Sequence, residues 1–296
     1  MSELIESKEK TGEERDNQAA RNLQLYYRGS TTIFSSRHDP RFQFCMYVPP
    51  DFDQNKNDYR LLIAVHGTGR AMVQYRDAFA EFARYNRCVV LAPLFPVGPL
   101  GDGNSHGFKY IIEQDLRYDQ ILLAMVEEIS SSLNHDFGRF LLFGYSGGGH
   151  FVHRFLFIHP EKVLAVSIGA PGSVTLLDED KEWWVGVKNF AALFGKPLNY
   201  EALKQVYVQL VVGKVDIETW EITHRPGGRY YLPGCNDAGV TRIERNTSLL
   251  NSLRSHGVNA VQNIVPNVGH DGVKVVDQVK DFFFSVLERV NAGEKQ

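Results

Sequence analysis

The stretch "FLLFGYSGGGHFVHRF", Phe140 to Phe155, decides how this chain is read. Its first residues are large and apolar and read as a buried strand; after Gly149 the apolar spacing becomes helical. Between the two stands Gly144-Tyr145-Ser146-Gly147-Gly148, a Gly-X-Ser-X-Gly pattern. A strand that turns sharply into a helix at such a pattern lifts the serine hydroxyl above the sheet. The glycines give clearance for the close approach of strand and helix, and the helix start aims free N–H groups at the same spot. The plainer alternative is a glycine-rich turn with an idle serine.

The alternation extends outward from this elbow. Short apolar runs occur at "RLLIAVHG" (60–67), "RCVVLAPLF" (87–95), "VLAVSIGAPG" (163–172), "VYVQLVVG" (206–213) and "AVQNIVP" (260–266). Helical spacing in "DAFAEFARYN", "DLRYDQILLAMVEEISSSL", "RIERNTSLLNSLRSHG" and "VKVVDQVKDFFFSVLERVN" separates or follows them. This order predicts an α/β fold, a mostly parallel central sheet with helices on both faces. Before it, "STTIFS" and "FQFCMYVP" flank the turn-forming "SRHDPR" and predict an antiparallel hairpin. Residues 1–22 are polar and read as a mobile tail, and 23–296 as one domain. The strand and helix rhythm lapses twice, over about 173–205, read as an inserted cap, and about 217–241, read as a second loop insertion.

Bulk composition narrows the function classes. Lysine plus arginine number 32 against 35 acidic residues, a formal net charge of -3, and no basic stretch suggests nucleic-acid binding. No apolar run is long enough to span a bilayer, and the amino terminus lacks the apolar centre of a secretion signal. The expected location is therefore cytoplasmic. Three scattered cysteines, Cys45, Cys88 and Cys235, fit reduced thiols rather than a disulfide framework. None of the ten histidines forms a His-Glu-X-X-His pair, so neither metal nor cofactor is expected. The oligomeric state is left open.

A serine needs a base within hydrogen-bond reach, and the base needs a group to orient it. In a sheet of this kind the catalytic groups lie at the carboxyl ends of strands, with the acid preceding the histidine in the chain. Asp216 follows the strand "VYVQLVVG" and His270 follows "AVQNIVP", which places both at such ends. Asp237, in the second insertion, is the rival acid. A further amide must meet the developing oxyanion, and "LLIAVHGTGR" offers Thr68 N–H as the partner of Gly147 N–H. Arg70, next in that loop, either docks an anionic substrate group or is merely solvated or paired with an acid such as Asp77. Tyr145, Trp183 and Trp184 are candidate substrate contacts; the tryptophans, with Phe190 and Phe194, either line a pocket or fasten the cap to the sheet.

Taken together, "HGTG", "GYSGG", the strand-end Asp216 and "VGHDG" resemble the α/β-hydrolase fold superfamily over nearly the whole chain. Within it the chain is most similar to small serine esterases of the polyhydroxybutyrate depolymerase-like and feruloyl-esterase-like kinds. The resemblance implies hydrolysis of a carboxylic ester through an acyl-enzyme, with a small-molecule ester as the partner. An amidase or peptidase using the same three residues, or a ligand receptor that no longer turns over, stands as the alternative.

Overall fold

Runs such as Leu61-Leu62-Ile63-Ala64-Val65 are apolar at every position, so they must be covered on both faces. The computed structural model shows how. It describes Arg21 and residues 25–293; the remainder of the expected tail lies outside the described residues. The strands of the main sheet are β1 (Gly29–Ser30), β2 (Phe34–Ser35), β3 (Gln43–Val48), β4 (Arg60–Val65) and β5 (Cys88–Leu94). A separate small antiparallel ribbon is formed by β6 (Ile112–Glu113) and β7 (Leu116–Arg117), and the main sheet continues with β8 (Phe140–Tyr145), β9 (Val163–Gly169), β10 (Tyr207–Gly213) and β11 (Ala260–Val265).

The main sheet has the order β1-β3-β5-β4-β8-β9-β10-β11, with β2 also paired to β3. From β5 to β11 every pairing is parallel, whereas β3 runs antiparallel to β1, β2 and β5. The expected hairpin is present, with Phe34 opposite Phe44, although its first arm is only two residues long.

Successive side chains of the central strands go to opposite faces. Leu61, Ile63, Val65, Phe140 and Leu142 enter one core, against α2 (Tyr118–Leu133), α3 (Gly147–Ile158) and α6 (Arg242–Ser255). Leu62, Ala64, Leu141, Phe143 and Tyr145 enter the other, against α1 (Met72–Tyr85) and α7 (Val276–Asn291). The stretch between β9 and β10 carries two short helices, α4 (Phe190–Phe194) and α5 (Tyr200–Lys204). Between β10 and α6, residues 214–241 form turns and irregular loop. A capping box at Thr241, whose side chain accepts from Glu244 N–H while Glu244 reaches back to the Thr241 N–H, stops that loop and starts α6. Among the described residues no helix is long and apolar enough to cross a membrane.

Candidate active site

Four strand ends meet at one rim. Register pairs Val65 with Gly144, Tyr145 with Gly169, and Gly213 with Val265, so the segments that follow β4, β8, β10 and β11 all leave the sheet on the same side. Those segments carry Thr68, Ser146, Asp216 and His270 respectively.

At the elbow, Ser146 has φ 55° and ψ −114°, a backbone conformation that an L residue adopts only when its surroundings impose it. Two contacts impose it here. Ser146 N–H donates to Gly169 O at 2.8 Å, and its own carbonyl accepts from His150 N–H at 3.0 Å as α3 begins. The glycines supply room rather than flexibility: a Cβ on Gly148 would run into the Val65 carbonyl, and one on Gly144 into the Gly148 carbonyl. A Cβ on Gly147 would stand 3.0 Å from Thr68 N, 2.9 Å from Phe108 Cζ and 3.1 Å from Lys109 Cε. The loop after β4 therefore comes into direct contact with the start of α3, and its Thr68 amide has no acceptor among the described residues.

His270 Nδ1 lies 2.6 Å from Asp216 Oδ2. Asp216 is 1% exposed, and its second oxygen accepts from Arg242 Nη1 at 3.0 Å. Arg242 is itself buried, and its other arm reaches Glu221 Oε2 at 2.7 Å. The carboxylate is thus held on one side by a guanidinium while its other side faces the imidazole. The Ser146 hydroxyl makes no hydrogen bond among the described residues; it and His270 border one cavity of about 760 Å³. Nucleophile-to-base contacts commonly close only when substrate arrives. Tyr145 also borders this cavity, its ring 5.1 Å from that of His270. Its phenol oxygen is buried and has no hydrogen-bond partner among the described residues.

Asp237 stands elsewhere, exposed and paired with Lys181 at 3.0 Å. Arg70 requires a correction. It neither faces the cavity nor pairs with Asp77, which is bound by Arg76. Its guanidinium instead donates to three backbone carbonyls, Phe95 O at 3.1 Å, Thr68 O at 2.6 Å and Ser105 O at 2.7 Å. Three of its five N–H donors thus tie two loops together, and the side chain does not line the cavity. The tryptophans are corrected as substrate contacts too. Trp183 packs on Phe190 and Phe194 and fastens that segment to the core. Trp184 lies behind the cavity wall, its ring against Tyr110 and His224 and its indole N–H donating to Tyr230 O at 3.1 Å.

The cavity wall comes from two segments with irregular sequence patterns, in which His106 and His224 read as loop residues. One is the long connection after β5, which supplies Asn104, His106, Lys109 and Tyr110. The other is the second insertion, which supplies Trp220, Glu221, His224, Arg225, Arg229 and Tyr230. Tyr110 and Tyr230 stack at 4.0 Å and join the two. The signal for the first segment was the length of "PVGPLGDGNSHGFKY", because long irregular connections at a strand's carboxyl end are commonly functional. His150 is buried, accepts from Gly172 N–H at 2.7 Å, and is held neutral by burial and the nearby Lys109 and Arg154 charges. Among the described residues no group of three or more histidine, cysteine or acidic side chains is gathered to hold a metal ion.

This sheet order, elbow and set of strand-end loops make the chain an α/β-hydrolase fold. Solved structures bear this out. The poly(3-hydroxybutyrate) depolymerase LpqC of Bordetella parapertussis superposes with a TM-score of 0.69 at 21% identity, covering 90% of this chain and 93% of its own. Poly(aspartic acid) hydrolase-1 from Sphingomonas sp. KT-1 gives 0.64 at 18% identity, over 81% and 92%. An S-formylglutathione hydrolase from Agrobacterium tumefaciens gives 0.57 at 16%, over 88% and 98%. No protein-family model matches the chain, and no curated protein matches it in sequence.

Proposed function

We propose that the protein is a serine hydrolase that cleaves a carboxylic ester through an acyl-enzyme. The observation that carries this reading is the placement of a conformationally constrained Ser146 on the same cavity as His270, whose far nitrogen is held by the buried Asp216. The similar folds support it, two being named hydrolases and one a depolymerase.

In this scheme Asp216 accepts a hydrogen bond from His270 Nδ1–H without taking the proton, which leaves Nε2 as the base. Ser146 Oγ bonds to the substrate carbonyl carbon as its proton passes to Nε2. The carbonyl oxygen, now negative, takes the Thr68 and Gly147 N–H groups as donors. Collapse breaks the bond to the alcohol oxygen, which leaves with the proton from His270. Water then repeats the sequence on the acyl-serine and releases the acid.

The test is a fluorophosphonate probe together with p-nitrophenyl acetate hydrolysis. The unmodified protein should be labelled and active. Ser146→Ala should be unlabelled and lose about 10⁴-fold or more in kcat. Equal labelling of both proteins would place the nucleophile elsewhere, and absence of labelling and turnover in the unmodified protein would reject the hydrolase reading.

A further inference from the structure

The cavity carries an excess of positive charge. Lys109, Arg225, Arg229 and Arg242 border it, whereas Glu221 is the carboxylate among its lining residues. Two of the cations are satisfied within the protein: Arg242 by Asp216 and Glu221, and Arg229 by Asp102 and Glu113. Lys109 is not. It is 8% exposed, and no carboxylate lies within ion-pair distance of it among the described residues. Its ammonium donates one hydrogen bond, to His106 Nδ1 at 2.8 Å. Two of its three protons therefore find no acceptor among the described residues. Behind it the fully buried Arg154 also has no carboxylate partner among the described residues, bonding Thr175 Oγ1, Ser173 Oγ and the Lys109 carbonyl.

A buried ammonium without a counter-charge is costly, and a ligand that brings the counter-charge recovers that cost. The position of Lys109 says where the ligand's charge must be. Its Cε lies 3.1 Å from the place a Gly147 Cβ would occupy, directly beside the amide that would receive the oxyanion. We propose that Lys109 makes this an anion-selecting site: the substrate is an ester carrying a carboxylate within a few bonds of its scissile carbonyl, held by the Lys109 ammonium. The proposal rests on the ester-hydrolase reading above. It moves to Lys109 the anion-docking role that the sequence offered to Arg70.

The groups around the ammonium make its charge titratable in an accessible range. Burial, with Arg70, Arg154 and Arg242 nearby, lowers the Lys109 pKa to about 8, against the opposing pull of Glu221. The adjoining His106 is held neutral, with a pKa of about 4, by burial and by the Lys109 and Arg70 charges. Between pH 7 and 9 Lys109 is therefore the wall group that loses charge, while a substrate carboxylate stays ionised.

The experiment compares monoethyl succinate with ethyl succinamate, which have the same shape and differ by one charge. Binding is measured by calorimetry on Ser146→Ala protein and hydrolysis by pH-stat on the active protein, each with and without Lys109→Met. At pH 7 the half-ester should be preferred, and Lys109→Met should cut the preference about 10- to 100-fold, the range for a hydrogen bond to a charged group. Raising the pH from 7 to 9 should erode the preference in the unmodified protein and leave Lys109→Met flat. That titration decides the matter even where the variant fails to fold. Equal affinity for the two esters, or a preference unmoved by both pH and substitution, would overturn the proposal. Charge-dependent binding without hydrolysis of either ester would sustain the anion site while rejecting the hydrolase reading.

Discussion

Replacing Asp216 with asparagine should be far more damaging than loss of one negative charge implies, because Arg242 dictates which way the new amide faces. Arg242 Nη1 can only donate, and it lies 3.0 Å from Asp216 Oδ1. The introduced amide would therefore keep its carbonyl oxygen toward Arg242 and turn its NH₂ toward His270. At the 2.6 Å contact now made by Asp216 Oδ2, that NH₂ can be accommodated only if Nδ1 becomes an acceptor. The imidazole proton then moves to Nε2, the nitrogen that receives the Ser146 proton in the proposed mechanism. The geometry is preserved and the tautomer is wrong. A loss of about 10⁴ in kcat is expected, the scale of such a tautomer switch, or about 5.4 kcal/mol in barrier. KM should change little, since Asp216 is buried beneath His270 and does not border the cavity. Steady-state hydrolysis of p-nitrophenyl acetate gives the rate, and ¹⁵N NMR of the histidine ring reports the tautomer. Retention of more than a tenth of kcat, or an Nε2 that stays unprotonated in Asp216→Asn, would refute the reasoning.

Other outcomes follow from neighbouring features. Arg70→Met should lower Tm and reduce kcat/KM equally for neutral and anionic esters, because Arg70 ties the Thr68 loop to Phe95 and Ser105 rather than meeting substrate; a selective loss on the anionic ester would contradict this. Acid should destabilise the fold well above the carboxylate range through His66. Burial lowers its pKa to about 4, and its Nε2 accepts from Phe95 N–H at 2.9 Å. The unfolded chain takes up a proton near pH 6.5 that the folded chain refuses, so this stability is full above pH 6.5 and is lost as pH falls toward 4. At pH 5 the loss from this residue is about 2 kcal/mol. Thermal melts between pH 7 and 5 should show it, and an unchanged Tm would reject it.

The fold was legible because its central strands are apolar on both faces and its outer helices on one. Runs such as Leu61 to Val65 and the spacing of "DQVKDFFFSVLERV" leave little freedom of interpretation. The pairing of His270 with Asp216 also followed from strand ends, since chain order and sheet geometry restrict which side chains can meet. The cavity wall did not follow. Trp183 and Trp184 drew attention by size, yet which side of a loop an aromatic ring presents depends on packing against segments distant in the chain, here Phe190, Phe194 and Tyr110. The role of Arg70 is hidden from sequence for a related reason. A guanidinium beside a site is indistinguishable in sequence from one spent on carbonyls, and only the positions of Phe95 O and Ser105 O separate the two. Lys109 carried no local pattern. Its isolation is a matter of which carboxylates fail to reach it.

The bridge from Asp216 through Arg242 to Glu221 has a meaning for how such a protein can be diversified. The segment that shapes the mouth of the cavity also neutralises one arm of the arginine that positions Asp216. Under the proposed function, substrate choice and catalytic competence are therefore not separable modules. A chimera that imports a foreign 217–241 segment inherits a buried guanidinium missing one counter-ion unless the graft brings an acid to the place of Glu221. Libraries built on this scaffold should hold Glu221 and Arg242 constant as a pair and vary Trp220, His224, Arg225 and Tyr230 around them.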